Sequence, residues 1–200
     1  MYKKSKKNKA GKLRYDGYSF IEGMFAMAVV TVGMLAVVQL ITDNLSIYSN
    51  EKSSIEAAFL AQEGLEIARN VRDNNWTQGL NTFDSSDFPN SSANNCRADM
   101  FSTTISDCSN NTDKTLHVDP TTSEYSMNAN HPASKFRRMI YIDYDTGSGA
   151  TAAYADVVSV VVWEDGTFPA TAAAAINPND CSLTKKCIAV SSRLTKWGGV

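Results

Sequence analysis

The stretch GMFAMAVVTVGMLAVVQLI, residues 23–41, runs nineteen positions without a charge. As a helix it is about 28 Å long, close to the thickness of a bilayer's hydrocarbon core. Its two flanks differ in charge. Residues 1–17 hold Lys3, Lys4, Lys6, Lys7, Lys9, Lys12 and Arg14 against Asp16, a local +6; the whole chain of 200 residues carries −2, so the rest carries −8. Excess Lys and Arg on one flank of a span places that flank in the cytoplasm. Residues 42–200 are therefore expected outside. A negative body does not suit binding through phosphate neutralisation, and no nucleic-acid partner is expected. The chain is 43% hydrophobic and 10% aromatic, which supports a packed core beyond the apolar segment. That core is expected as one globular domain.

The apolar segment passes into a second periodic stretch, residues 43–73. Leu60, Gly64, Ile67 and Val71 fall at i, i+4, i+7 and i+11, one face of a helix. Ala57, Ala58, Ala61, Leu65 and Ala68 widen that face, and most charges lie elsewhere, so this half is amphipathic where the first is apolar all round. No proline interrupts residues 18–73, and Asn74-Asn75 is a plausible stop. One helix over residues 18–73, membrane-spanning to about residue 42, is predicted, with a break near Thr42–Asn44 as the alternative. Residues 77–135 are rich in Ser, Thr, Asn and Asp and read as loops with short strands at best. Residues 136–144, 155–163 and 187–195 alternate or are Val-rich and read as strands, with turns at Gly147-Ser-Gly149 and Asp165-Gly166. The Ala-rich run 170–175 is left as a loop or a helical turn. The expected fold class is α+β. A long N-terminal helix packs on a small antiparallel sheet, which has one buried face and belongs to a head of residues 74–200.

Immediately before the apolar run stands Asp16-Gly17-Tyr18-Ser19-Phe20-Ile21-Glu22. A basic leader, a Gly, an aromatic residue and then one Glu inside an apolar helix resemble the N-terminus of type IV pilins and of the pseudopilins of type II secretion. The resemblance implies a pilin-like fold and cleavage between Gly17 and Tyr18 by prepilin peptidase. It also implies N-methylation of Tyr18 and an assembly role for Glu22. Tyr at the cut and Gly23 after the Glu depart from the usual pattern. Residues 57–73, AAFLAQEGLEIARNVRD, are similar to the helix of minor pilins of the pilus-modification type, with an acidic-Gly pair and an Arg-x-x-Arg-Asp end. Val160–Trp163 and residues 191–197 resemble that group's closing strands. The implied protein is a structural minor pilin-like subunit, not an enzyme. Its implied partners are the peptidase, other pilin subunits, the inner-membrane assembly platform and the lipid bilayer. Its implied location is the cell membrane and then a pilus or pseudopilus. A type II secretion pseudopilin is the nearest alternative. A single-pass, membrane-anchored extracellular binding domain that never assembles is the alternative of a different class. A cleaved secretory signal is disfavoured, because the run is longer than an h-region and no A-x-A site follows it.

A carboxylate in hydrocarbon costs on the order of 2.5–3.5 kcal/mol by insertion scales. Glu22 is the only charge between Asp16 and Asp43. Cleavage at Gly17 would create an α-ammonium four residues before it, able to neutralise the Glu of a docked neighbour. As a lone helix-start charge, Glu22 would instead only complement the macrodipole.

Four cysteines, Cys96, Cys108, Cys181 and Cys187, all follow the span. An even count on the outer side predicts disulfides, with three pairings open and the local one, Cys96–Cys108 with Cys181–Cys187, the simplest. Their spacings do not match zinc ligation, and no metal or other cofactor is expected. Asp143-Tyr-Asp145-Thr-Gly147 resembles the start of a calcium loop but lacks the later ligands, so a polar turn is expected. No nucleophile elbow, phosphate loop or dinucleotide fingerprint is present.

Overall fold

The structure, a computed structural model, describes residues 20–83, 87–89, 96–100, 102–106, 113–146 and 149–196. With no proline to interrupt it, helix α1 runs Phe20–Thr77, unbroken at residues 42–44. The chain divides into two compact units, Met1–Tyr48 and Ser49–Val200.

In the first unit α1 is exposed throughout its described length. Three of its polar side chains return hydrogen bonds to the helix. Thr31 Oγ1 donates to the Ala28 carbonyl (2.8 Å), Thr42 Oγ1 to that of Gln39 (2.8 Å), and Asn44 Nδ2 to that of Leu40 (2.7 Å). Such back-bonding lowers the cost of a hydroxyl or amide in an apolar medium.

In the second unit, residues 49–77 of α1 lie against a sheet of β1 (Thr115–Val118), β2 (Tyr125–Ser126), β3 (Ala133–Tyr144), β4 (Tyr154–Trp163) and β5 (Cys187–Thr195). All pairings are antiparallel and the order is β2-β1-β3-β4-β5. The predicted helix face is the buried one: Ala57, Leu60, Ala61, Gly64, Leu65, Ile67, Ala68 and Val71 all face the core. Even-numbered residues of β3 meet it, with Ile140, Ile142 and Tyr144 in one cluster and Phe136 in the adjoining one. From β4, Val157, Val161 and Trp163 join the same layer.

Two expectations need correction. The helix does not stop at Asn74-Asn75. Asn75 is buried, and the end comes at Gly79, whose φ of 71° is the left-handed conformation glycine tolerates. Leu80 N donates to the Asn75 carbonyl and Gly79 N to that of Trp76, the paired bonds of a Schellman cap. Nor is only one sheet face buried. Met139, Tyr141, Val158, Val160 and Val162 form a second cluster on the opposite face. The β4–β5 connection, residues 164–186, folds back over that face. It carries Phe168, the single-turn helix α2 (Ala172–Ala175) and a 3-10 turn at Leu183–Lys185. Thr171 caps α2 by accepting the Ala174 N–H at 3.1 Å. The Tyr141 hydroxyl donates to the Pro169 carbonyl, fixing the connection from beneath.

Candidate functional site

The first candidate site is the apolar half of α1. Its large side chains point outward: Phe20 is 84% exposed, Phe25 72% and Met34 69%. By length and composition this helix could span a membrane. Contiguous apolar surface of this extent is not left to water in a stable soluble protein. Glu22 sits in the first turn of α1 and is exposed. There its carboxylate complements the unpaired N–H groups and positive dipole end of the helix. Gly17 and Tyr18 lie outside the described residues, as does Cys108. A Cβ built on Gly23 meets nothing within 4 Å, so that departure from the usual pattern is not forced by packing within the chain.

Cys181 and Cys187 form a disulfide with Cα atoms 5.0 Å apart, and Cys96 is also disulfide-bonded. The Cys181–Cys187 bridge closes the end of the β4–β5 connection onto the first residue of β5. Lys186, between them in sequence, has a φ of 52° and bonds Glu164 (2.8 Å) and Asp165 through Nζ. These bonds hold the ammonium charged and lower the Asp165 carboxyl below its usual range. Asp143 and Tyr144 end β3, paired with Asp156 and Ala155 of β4; Asp145 follows, its carboxylate accepting the Ala153 N–H at 3.1 Å, and Gly147 lies outside the described residues. Among the described residues, no group of three His, Cys, Asp or Glu is placed to hold a metal ion.

The residues of the 57–73 motif have a structural account that the spacing alone did not supply. Glu63 pairs with Arg138, a fully buried guanidinium on β3. Arg138 Nη1 donates to Glu63 Oε1 (2.9 Å) and to the Leu60 carbonyl (3.2 Å), and Nη2 to the Ala98 carbonyl (3.0 Å). The neighbouring Gly64 lets the helix backbone reach β4: a Cβ there would lie 2.3 Å from Ser159 Oγ. Arg69 reaches Ser192 Oγ on β5 at 3.2 Å, and Arg72 pairs with Asp73 at 2.8 Å. At the acidic-Gly pair the helix thus both approaches β4 closely and pairs with β3. Arg138 carried a visible signal: it occupies the apolar parity of β3, between Phe136 and Ile140.

No family model, no curated protein and no solved structure matches the chain.

Proposed function

We propose that this chain is a structural, non-catalytic subunit of a type IV pilus-like filament, of the minor-pilin kind. The observation that carries the reading is the join in sequence of Gly17, Glu22 and the basic leader to a helix whose apolar half has no cover among the described residues. Lipid satisfies that surface before assembly, and the helices of other subunits satisfy it afterwards. The α+β layout, with the second half of the helix on an antiparallel sheet, supports a pilin-like head. Prepilin peptidase cuts after Gly17 and leaves Tyr18 as an N-methylated terminus. The leader faces the cytoplasm and the head faces outward. The Tyr18 ammonium of one subunit then neutralises Glu22 of a neighbour, a contact that exists only in register.

The test is mass spectrometry of the N-terminus of membrane-purified protein. A methylated Tyr18 is expected. A mature start beyond residue 40 means an ordinary signal peptide and removes the filament reading. An intact leader points to a membrane-anchored domain that does not assemble.

A further inference from the structure

Beyond residue 42, α1 still carries exposed apolar side chains, and they are not scattered. Up to residue 75 the large ones are Leu45, Ile47, Tyr48, Ile55 and Phe59, with Tyr48 68% and Phe59 67% exposed. All but Ile47 fall on one repeat, 45-48-52-55-59, with alternating steps of three and four. The same repeat runs back without a break through Ile41, Met34 and Met27 to Phe20, and Thr31 is its one polar position there. A spacing of this kind, kept over many turns, is the seam of a left-handed helix pair. Its a positions include Met24 and Lys52, and its d positions include Phe20 and Ile55. Within the span every face is apolar, so the selective part of the pattern is residues 45–59. There Ser53, Ala57, Leu60 and Ala61 are buried in the head, while Ile55 and Phe59 lie on the side turned away from it.

One charge interrupts the seam outside the span: Lys52, at an a position. Glu51, just before it, flanks the seam at g. Lys52 is exposed, as is Glu51, and neither side chain has a hydrogen-bond or ion-pair partner among the described residues. In a parallel pair in register, an a side chain enters a hole formed by four residues of the facing helix, one of them the g residue that precedes the partner's a position. Lys52 then lies beside Glu51 of the other copy, and Glu51 beside that copy's Lys52, so a two-fold contact pairs all the seam charges. Glu56, on the opposite flank, is already held by the Tyr125 hydroxyl. A single polar residue at an a position fixes register. The basic leader gives every copy the same orientation in a bilayer, which makes the pair parallel. Gly23 and Gly33 stand ten positions apart, so they do not make the i, i+4 small-residue pair of a right-handed crossing.

We infer that α1 pairs with α1 of a second copy of this chain in the membrane, parallel and in register, along the seam that runs from Phe20 to Phe59. A second copy meets each requirement of the seam: equal length, the same orientation, and a Glu beside each Lys52. In register the two copies stand at one depth, so the pair is a state of the bilayer-held chain. The inference rests on the membrane-spanning part of the proposed function and not on filament assembly. Glu22 falls at an f position, turned away from the seam, and stays available for the contact proposed above.

The test uses the full chain in a bacterial host without prepilin peptidase, so that no filament forms. Single cysteines are placed on the seam, Met34→Cys or Ile41→Cys, and opposite it, Val29→Cys or Ala36→Cys. Membranes are oxidised briefly with copper-phenanthroline in air and read on non-reducing gels. Disulfide-linked dimer is expected from Met34→Cys and Ile41→Cys, and little or none from Val29→Cys and Ala36→Cys. Linkage between identical positions reports a parallel pair in register. Lys52→Glu added to Ile41→Cys should lower the dimer yield about fivefold, as ion pairs at an exposed site permit. Adding Glu51→Lys as well should restore it, a rescue that a merely destabilised head does not produce. Equal linkage on both sides of the helix, or a charge reversal without effect, overturns the inference. Absence of dimer from a chain that stays in the membrane pellet assigns the seam to another protein's helix, and also overturns it while leaving the span intact. A chain missing from the membrane pellet overturns the span itself, and the pair with it.

Discussion

Gly64 is the residue on which the docking of helix to sheet turns. Gly64→Ala places a methyl 2.3 Å from Ser159 Oγ and 3.1 Å from Arg138 Cδ. Overpacking of this kind costs about 1–3 kcal/mol. The loss should appear as a lower midpoint in urea with an unchanged slope. Ser159 is fully buried and its hydroxyl has no hydrogen-bond partner among the described residues. Ser159→Ala added to Gly64→Ala should therefore recover part of the loss; no recovery would mean that Arg138 Cδ or the Ser159 Cβ, not the hydroxyl, sets the clash. Arg138→Ala strands the Leu60 and Ala98 carbonyls and Glu63, and breaking a buried pair in this way costs about 3–5 kcal/mol. Glu22 lies in the other unit. Glu22→Ala should leave cleavage and the head intact and remove the chain from sheared filaments. Unchanged incorporation would reduce Glu22 to a helix-start charge. Periodicity could place Gly64 on its helix face, but the residues it meets, Ser159 and Arg138, are far from it in the chain. Arg138 lies 75 positions from Glu63, and no local pattern joins them.

At the level of elements, the strongest periodic signals were the readable ones. The strand predicted at residues 187–195 is the strand observed, and those predicted at 136–144 and 155–163 extend slightly further. The helix stop was missed because Asn74-Asn75 looks like a breaker in sequence. In the fold, Asn75 packs inward and Gly79 makes the cap. The second buried face was missed because the connection that covers it is neither periodic nor strongly apolar. It is held by α2, by Tyr141 and by the Cys181–Cys187 bridge. A loop this short gives about 2 kcal/mol in the chain-entropy model. Cys181→Ser with Cys187→Ser should lower stability by about that amount. It should also speed hydrogen exchange across residues 164–186 while β3 and β4 stay protected. Uniform loss of protection would show that the connection is part of the core rather than a cover on it.

At the scale of the whole molecule the two units differ in where their apolar side chains lie: exposed along α1 in the first, buried in clusters in the second. All three buried clusters lie within residues 57–194, and the first unit contributes nothing to them. A chain beginning at Ser49 should therefore be soluble without detergent and unfold cooperatively, with tryptophan fluorescence and far-ultraviolet dichroism changing together. Aggregation of that fragment would show that the head depends on the membrane half for more than tethering. The close approach at Gly64 has a further result, for the kinetics of folding. If α1 slides by one turn, four residues, Glu63 moves about 6 Å from Arg138. Leu60 or Ala68 then stands where only a glycine fits. A helix that arrives one turn out of place meets both a steric block and a stranded guanidinium, so it leaves again instead of settling. Mistakes in docking correct themselves, and refolding of the head should show no slow phase from a misplaced helix beyond those that proline isomerisation supplies.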